Sequence, residues 1–436
     1  MTAHSFLTMV AEVDLAIPYG EVRRVMPGRL EASGPAATVG DLCRIGAAGR
    51  LAEVAAVDEQ GLVLVPVEDG APVAIGARVE PAPGGGAVGV GDGFGGRAID
   101  ALGRPLDGGP SIRADAHVPS RGITPGMLDR VAPDTILETG VRAIDALMTL
   151  GKGQRIGVFA ASGVGKTSLV EQLVAQVGAT RRVLCLVGER GREVEGFWRA
   201  LSQRADADRC TLVAATSDES AAMRARCVST ALCLAEYWRD RGEHVLLIID
   251  SVTRLAMALR EIGLAAGEPP TVRAYTPNVF AALPRIVERC GAVRSGGAIT
   301  AVMTVLSETD EVDDPIVETM KSLLDGHIVL SRSLADRGHF PAIDATRSIS
   351  RQASRLIARD HADAARAAAA QLATYDEARV MIQSGIYQAG TSVEIDAAVA
   401  GREALIAFLR QGQDERTPLA ETVRRLGALG RSTRHG

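Results

Sequence analysis

The hydrophobic rhythm of the chain changes twice along its length. From about Tyr19 to Val79, short apolar or alternating runs at 22–26, 37–45, 51–57 and 62–66 are broken by Gly, Pro and Asp. Short strands joined by tight turns predict a small β-barrel. Ahead of it, Phe6, Leu7, Val10 and Val13 fall at helix-like spacing, which fits either a helical arm or a frayed end. The Pro81-Ala-Pro-Gly-Gly-Gly86 segment has the composition of a linker, and 91–109 is crowded with turn residues.

A second rhythm follows. Nearly continuous apolar runs at 156–160, 183–187, 211–215, 245–250 and 298–305 alternate with helical stretches after Lys166, after Glu193 and over 217–239. Strands apolar on both faces and separated by helices predict a parallel sheet covered on both sides. From about residue 352 the chain is rich in Ala and Arg. Leu372, Tyr375, Ile382 and Ile386, then Val399, Ile406 and Leu409, stand near helical spacing, predicting a helical C-terminal domain. The expected fold class is α/β, divided into an arm and barrel over 1–81, a sheet domain over 82–355 and helices over 356–436.

The strand at 156–160 runs into Ala160-Ala-Ser-Gly-Val-Gly-Lys-Thr167, the strand–loop–helix pattern of a P-loop, with Ala160 where the pattern asks for its first Gly. Its backbone N–H groups can wrap a phosphate at the positive end of a helix dipole. The expected nucleotide-binding residues are Ala161, Ser162, Gly163, Val164, Gly165, Lys166, Thr167 and Ser168. Lys166 would reach the β and γ phosphates, and Thr167 would bind Mg²⁺. The apolar run ending in Asp250 has the form of a Walker B strand, so Asp250 is the expected Mg²⁺ carboxylate. Glu189 ends another strand, placed either to orient the attacking water or as a solvated loop charge. Glu193 either contacts a metal-bound water or caps the following helix.

Composition narrows the function. Aromatic residues make up only 3% of the chain against 47% hydrophobic, so the core is built from Ala, Val, Leu and Ile. A net charge of −5 and a pI near 5.9 leave no whole-chain basic footprint for nucleic acid. Residues 1–80 hold no Lys, and Phe6 and Tyr19 are their only aromatics, which argues against a ring-shaped nucleic-acid motor. The six Cys lack CxxC spacing and are expected to be buried reduced thiols. The N-terminus lacks a signal-peptide pattern and no apolar run approaches bilayer length, so a cytoplasmic protein is expected, reaching a membrane only through partners.

Several blocks together resemble the type III secretion ATPases, which are similar in turn to the catalytic subunit of rotary ATP synthases. They are Leu137-Glu-Thr-Gly-Val-Arg-Ala-Ile-Asp145, Gly188-Glu-Arg-Gly-Arg-Glu193, Asp250-Ser-Val-Thr-Arg254 with the residues to Gly263, Gly267-Glu-Pro-Pro270, 324–332 and His339-Phe-Pro-Ala-Ile-Asp344. The resemblance implies a β-barrel, a RecA-like ATPase domain and a helical domain in a homohexameric ring that uses ATP and Mg²⁺. It implies catalytic roles for Lys166, for Glu189 as the residue polarising water, with Arg190 beside it, and for Arg351 acting across the subunit interface. Read bare, Arg351 is not separable from Arg347 or Arg355. By the same resemblance Phe340 stacks on adenine, with plain packing as the alternative.

The partners implied are stator and central-stalk proteins and chaperone–substrate complexes, at the inner-membrane export apparatus. Retention of Lys166, Thr167, Glu189 and Asp250 together argues against a ring subunit that has lost its chemistry. Ala161 and Thr167 differ from the commonest flagellar form of the loop, and Asp313 stands where flagellar proteins often carry an amide. The tail 414–421 looks more like injectisome members, and the injectisome branch is the expectation over the flagellar one.

Overall fold

The computed structural model describes residues 18–68, 72–307 and 314–432. The expected N-terminal arm and Asp313 lie outside the described residues. Six strands, β1 (Gly20–Met26), β2 (Arg29–Ala32), β3 (Leu42–Ile45), β4 (Arg50–Asp58), β5 (Gly61–Pro66) and β6 (Arg78–Pro81), close into a barrel in the order β1-β2-β5-β4-β3-β6. Inward positions such as Val22, Leu30, Ile45, Val54, Leu64 and Val79 form its core. Two strands were not legible, because β2 (Arg-Leu-Glu-Ala) and β6 (Arg-Val-Glu-Pro) each carry only two apolar residues beside charged ones. The strand expected over 37–45 begins only at Leu42. The Asp41 carboxylate accepts from the Thr38 N–H at 2.8 Å and from its hydroxyl at 2.9 Å, folding 38–41 into a turn.

The Pro- and Gly-rich linker is pinned. Ala82 donates its N–H to the Leu42 carbonyl, and the buried Arg226 guanidinium donates to the Gly86 carbonyl.

Among the described residues the central sheet has ten strands, eight of them on its main path: β7 (Ala98–Ile99), β8 (Arg155–Ala160), β9 (Arg181–Glu189), β10 (Cys210–Thr216), β11 (His244–Asp250), β12 (Ala298–Leu306), β13 (Gly326–Val329) and β14 (Ile349–Ser350). Its main path runs β14-β13-β8-β12-β11-β9-β10-β7, parallel throughout except for β14. Alternate residues of β9 serve opposite layers. Val183, Cys185 and Val187 pack into one core, and Leu184 and Leu186 into the other. A short edge strand, β7, arises inside the turn-rich 91–109 segment.

The principal helices are α1 (Arg142–Leu147), α2 (Lys166–Gln176), α3 (Gly191–Ser202), α4 (Ala221–Arg239), α5 (Val252–Ala266), α6 (Pro277–Glu288), α7 (Pro315–Leu323), α8 (Arg359–Gln383), α9 (Val393–Leu409) and α10 (Leu419–Ser432). Helix α4 begins four residues later than its apolar pattern suggests, because the Ser220 hydroxyl caps the Met223 N–H at 3.1 Å. Ile386 lies beyond the end of α8 and is exposed, so its helical spacing has no helix to serve. All six cysteines are buried and free. Among the described residues no helix is long and apolar enough to cross a membrane.

The C-terminal helices join the sheet through the second core. Ala368, Leu405, Phe408 and Leu409 are buried there, and His361 on α8 hydrogen-bonds the Ala146 carbonyl at the end of α1 at 2.9 Å.

Candidate nucleotide site

The strand order places β12 and β11 between β8 and β9, so the chain leaves β8, crosses two strand positions and returns. A parallel sheet opens a crevice where its connections diverge in this way, at the carboxyl ends of the strands. Ala160, Glu189 and Asp250 end three of those strands.

The P-loop turns through Gly163 and Gly165, both with positive φ (79° and 99°), a backbone that L-residues rarely adopt. Gly165 then starts α2 with Lys166 as its first residue. Ser162, Gly163, Thr167 and Ser168 are exposed, Ala161, Gly165 and Lys166 half-buried, and Val164 packs into the core beneath. The loop is braced from outside by Arg332, whose Nη2 donates to the Ser162 carbonyl at 3.1 Å.

Three charges meet inside the crevice. The Lys166 ammonium contacts Asp250 Oδ1 and stands 3.5 Å from Glu189 Oε1. Asp250 Oδ1 also accepts from the Thr304 hydroxyl at 2.7 Å. Glu189 is buried and flanked by Arg254, whose guanidinium lies 3.3 Å from its carboxylate. Burial raises the Glu189 pKa above the usual carboxylate range, opposed by Lys166 and Arg254 and reinforced by Asp250 and Glu193. Gly188, with positive φ, sits at a register shift between Val187 and Glu189, after which Glu189 pairs with Thr216.

Glu193 lies in the first turn of α3 with no described capping bond, close enough to act electrostatically on Glu189. Arg190 is the exposed residue before α3, and its carbonyl accepts from the Glu193 and Val194 N–H groups. Phe340 is 48% exposed and lines the P-loop from the opposite side, its ring 3.6 Å from where a Cβ on Gly165 would stand. The pairing of Leu330 with Ile343 and the bond from the Leu330 N–H to the Phe159 carbonyl hold the base of that connection to β8.

Arg351 stays apart from this group. It follows β14 at the sheet edge, exposed, with its Nη2 on the Lys321 carbonyl at 3.1 Å and its N–H on the Asp325 carbonyl. Arg355 lies inside the short helical turn Ala353–Leu356, its N–H bonded to the Gln352 carbonyl.

Arg254 and Arg332 sit inside sequence blocks whose resemblance is plain, yet nothing in their spacing assigns them a partner. Thr304 was readable only as the one hydroxyl in an otherwise apolar part of β12. One carboxylate and one hydroxyl, Asp250 and Thr167, offer the hard oxygen donors that Mg²⁺ prefers. The ammonium already resting on Asp250 shows that this position accepts a cation.

Residues 140–350 match the ATP synthase alpha/beta family, nucleotide-binding domain, and residues 357–428 match the EscN ATPase C-terminal domain of type III secretion systems. A flagellum-specific ATP synthase of Bacillus subtilis (strain 168) is 44% identical over 434 residues, 98% of this chain and 99% of the relative. The chain belongs to the type III export ATPase family. A type 3 secretion system ATPase of Xanthomonas euvesicatoria is 40% identical over 415 residues, 94% of each chain. The assembled ATPase EscN of enteropathogenic E. coli superposes with a TM-score of 0.90 at 39% identity, over 94% of this chain and 99% of that one. Members of this export ATPase family are ATP-hydrolysing enzymes of protein transport, and the RecA-like core with its barrel and helices is the family fold. Relatives divide between flagellar and injectisome names, so the expected injectisome assignment is not confirmed.

Proposed function

We propose that the protein hydrolyses Mg²⁺-ATP in a homohexameric ring at the cytoplasmic base of a type III export apparatus, releasing chaperones from exported proteins and unfolding them. The observation that carries this reading is the convergence of Lys166, Glu189 and Asp250 at the carboxyl edge of the parallel sheet, beside an open P-loop. In this reading the arm and barrel of 1–81 assemble the ring, 82–355 performs the chemistry and 356–436 meets partners. EscN has been solved assembled and also with its central stalk EscO, which supports a ring that takes a stalk.

The residues divide the work as follows. Backbone amides of 161–168 cradle the phosphates, and Phe340 packs on the base. Lys166 swings from Asp250 to the phosphate oxygens, freeing that carboxylate. Mg²⁺, held by Thr167 and Asp250, would neutralise charge on the phosphates. Glu189, its basicity raised by burial, orients the attacking water and accepts its proton, while Arg254 and Arg190 hold the segment around it. Glu193 sits where it can bind a metal-bound water. Arg351 reaches the neighbouring protomer's site and offsets charge in the transition state.

Two observations bear on the branch. The tail over 414–421 favours an injectisome, and the full-length match to a flagellar relative favours flagellar export. Deleting the gene in the source cells separates them, since loss of motility with intact effector secretion fits only the flagellar branch.

The reading as a whole is tested by Arg351→Ala. Wild-type specific activity should rise with protein concentration as rings form, and the variant should bind nucleotide yet lose about 10³-fold or more of that stimulated rate. An unchanged concentration dependence removes Arg351 from the interface.

A further inference from the structure

The connection between α9 and α10, residues 410–418, is gripped from three directions at once. From the start of the ATPase core, Arg142 on α1 is buried and reaches across with its whole fork. Its Nε donates to the Phe408 carbonyl at 2.7 Å and Nη1 to the Thr417 hydroxyl at 2.9 Å, with further contacts to the Arg410 carbonyl and the Glu415 carboxylate. From the P-loop helix α2, Gln176 donates to the Glu415 carbonyl at 3.0 Å, and Glu171 accepts from the Gln413 amide at 2.7 Å. The third grip is Gln411, which is 5% exposed. Its side chain accepts from the Arg142 N–H at 2.8 Å and donates to the Gly140 carbonyl at 2.7 Å. Its own N–H donates to the Phe340 carbonyl at 2.8 Å.

That last bond gives the connection a role in the reaction. The segment carrying Phe340 is fastened toward β8 through Leu330, Ser331 and Ile343, and its ring lies against the P-loop with nearly half its surface open. Gln411 is the tie on its peptide from the C-terminal side. An exposed aromatic stacks well on a base only if its backbone is fixed, since any freedom must be lost on binding.

We infer that Gln411 is a positioning residue for the nucleotide base. By locking the Phe340 peptide to a connection already fastened to α1 and α2, it sets the affinity for nucleotide and the preference for purine over pyrimidine. Stacking strength follows the area of the π-face, so a well-placed ring favours the larger base. The inference rests on the proposed stacking role of Phe340.

The experiment measures hydrolysis of ATP and of CTP by the full-length protein and its variants, with thermal melting recorded on each. Gln411→Ala should raise KM for ATP by a larger factor than it lowers kcat, and should cut the ATP-over-CTP preference in kcat/KM by up to about tenfold. Phe340→Ala should cut the same preference at least as far. If Phe340→Ala lowers the preference and a folded Gln411→Ala leaves it at the wild-type value, the positioning role is overturned and the stacking role stands. If Phe340→Ala leaves the preference unchanged, both are overturned. Should Gln411→Ala fail to fold, Arg142→Lys takes its place, because it keeps the charge and loses the fork. A fall in preference then supports the inference, and an unchanged one overturns it. A structural role alone would lower the melting temperature without changing the ratio between the two nucleotides.

Discussion

The cluster beside the P-loop and the connection behind Phe340 are both dense polar clusters, yet they are assembled in opposite ways. Lys166, Glu189 and Asp250 each sit at the end of an apolar strand or the start of the helix that follows one, so regular structure delivers them to one place. Arg142 and Gln411 come from elements 269 residues apart and meet through a loop, bonding mainly to carbonyls. The first cluster is charged, sets one ammonium against two carboxylates and lies beside the P-loop. The second is closed on itself and serves to fix backbone. Mutations should therefore damage rate at the first and rigidity at the second.

Glu189→Gln gives the largest contrast. Binding of a fluorescent ATP analogue should persist while turnover falls by about 10³-fold, as expected for loss of a positioned base. Lys166→Ala should weaken both. A Glu189→Gln protein with more than a tenth of wild-type turnover would erase the distinction between the clusters.

Arg142→Ala tests the other side. It strands the buried Phe408 carbonyl and removes the bonds to the Arg410 carbonyl and the Thr417 hydroxyl, so urea denaturation should show a loss of about 3 kcal/mol. A loss below about 1 kcal/mol would mean that water replaces the fork at no cost.

The smallest effect concerns pH. Burial, followed by Arg410, Arg337 and Arg402, pushes His339 down to about 4. Its folded pKa lies below the unfolded value near 6.5, so the unfolded chain binds the extra proton. Stability should be undiminished above pH 6.5 and fall as acid is added toward pH 4, by about 2 kcal/mol from this group at pH 4.5. His339→Gln should flatten that limb in urea titrations, and an identical slope would assign it elsewhere, for instance to His244, which burial also pushes to about 4.

This contrast also explains what could be read from the chain. The P-loop, the Walker-type Asp250 and the alternation of buried strands with helices are local patterns, and residues 155–167 or 245–250 contain all the information needed. Glu189 was readable as a strand end. Its partner Arg254 was not, because a cation four residues past Asp250 could face either way until α5 was built. Strands β2 and β6 escaped notice for a similar reason, since barrel closure rather than their own composition holds them. Gln411 stands in a block, Phe408-Leu-Arg-Gln411, that resembles both branches of the family, but its role was not legible: a glutamine after a helix has no periodicity, and its meaning lies in what the fold brings to it. Arg351 was legible only by likeness, and the single protomer keeps it on the far sheet edge.

Arg226 has a mechanical consequence. Its guanidinium is shared between Glu53 of the barrel, 3.4 Å away, and the Gly86 carbonyl of the segment joining barrel to core. Swivelling the barrel about that segment would strand a buried cation at a cost of about 3–5 kcal/mol. In a ring built from such subunits the barrels would form a stiff collar fused to the catalytic floor, and tilting one against the other would be the costly motion.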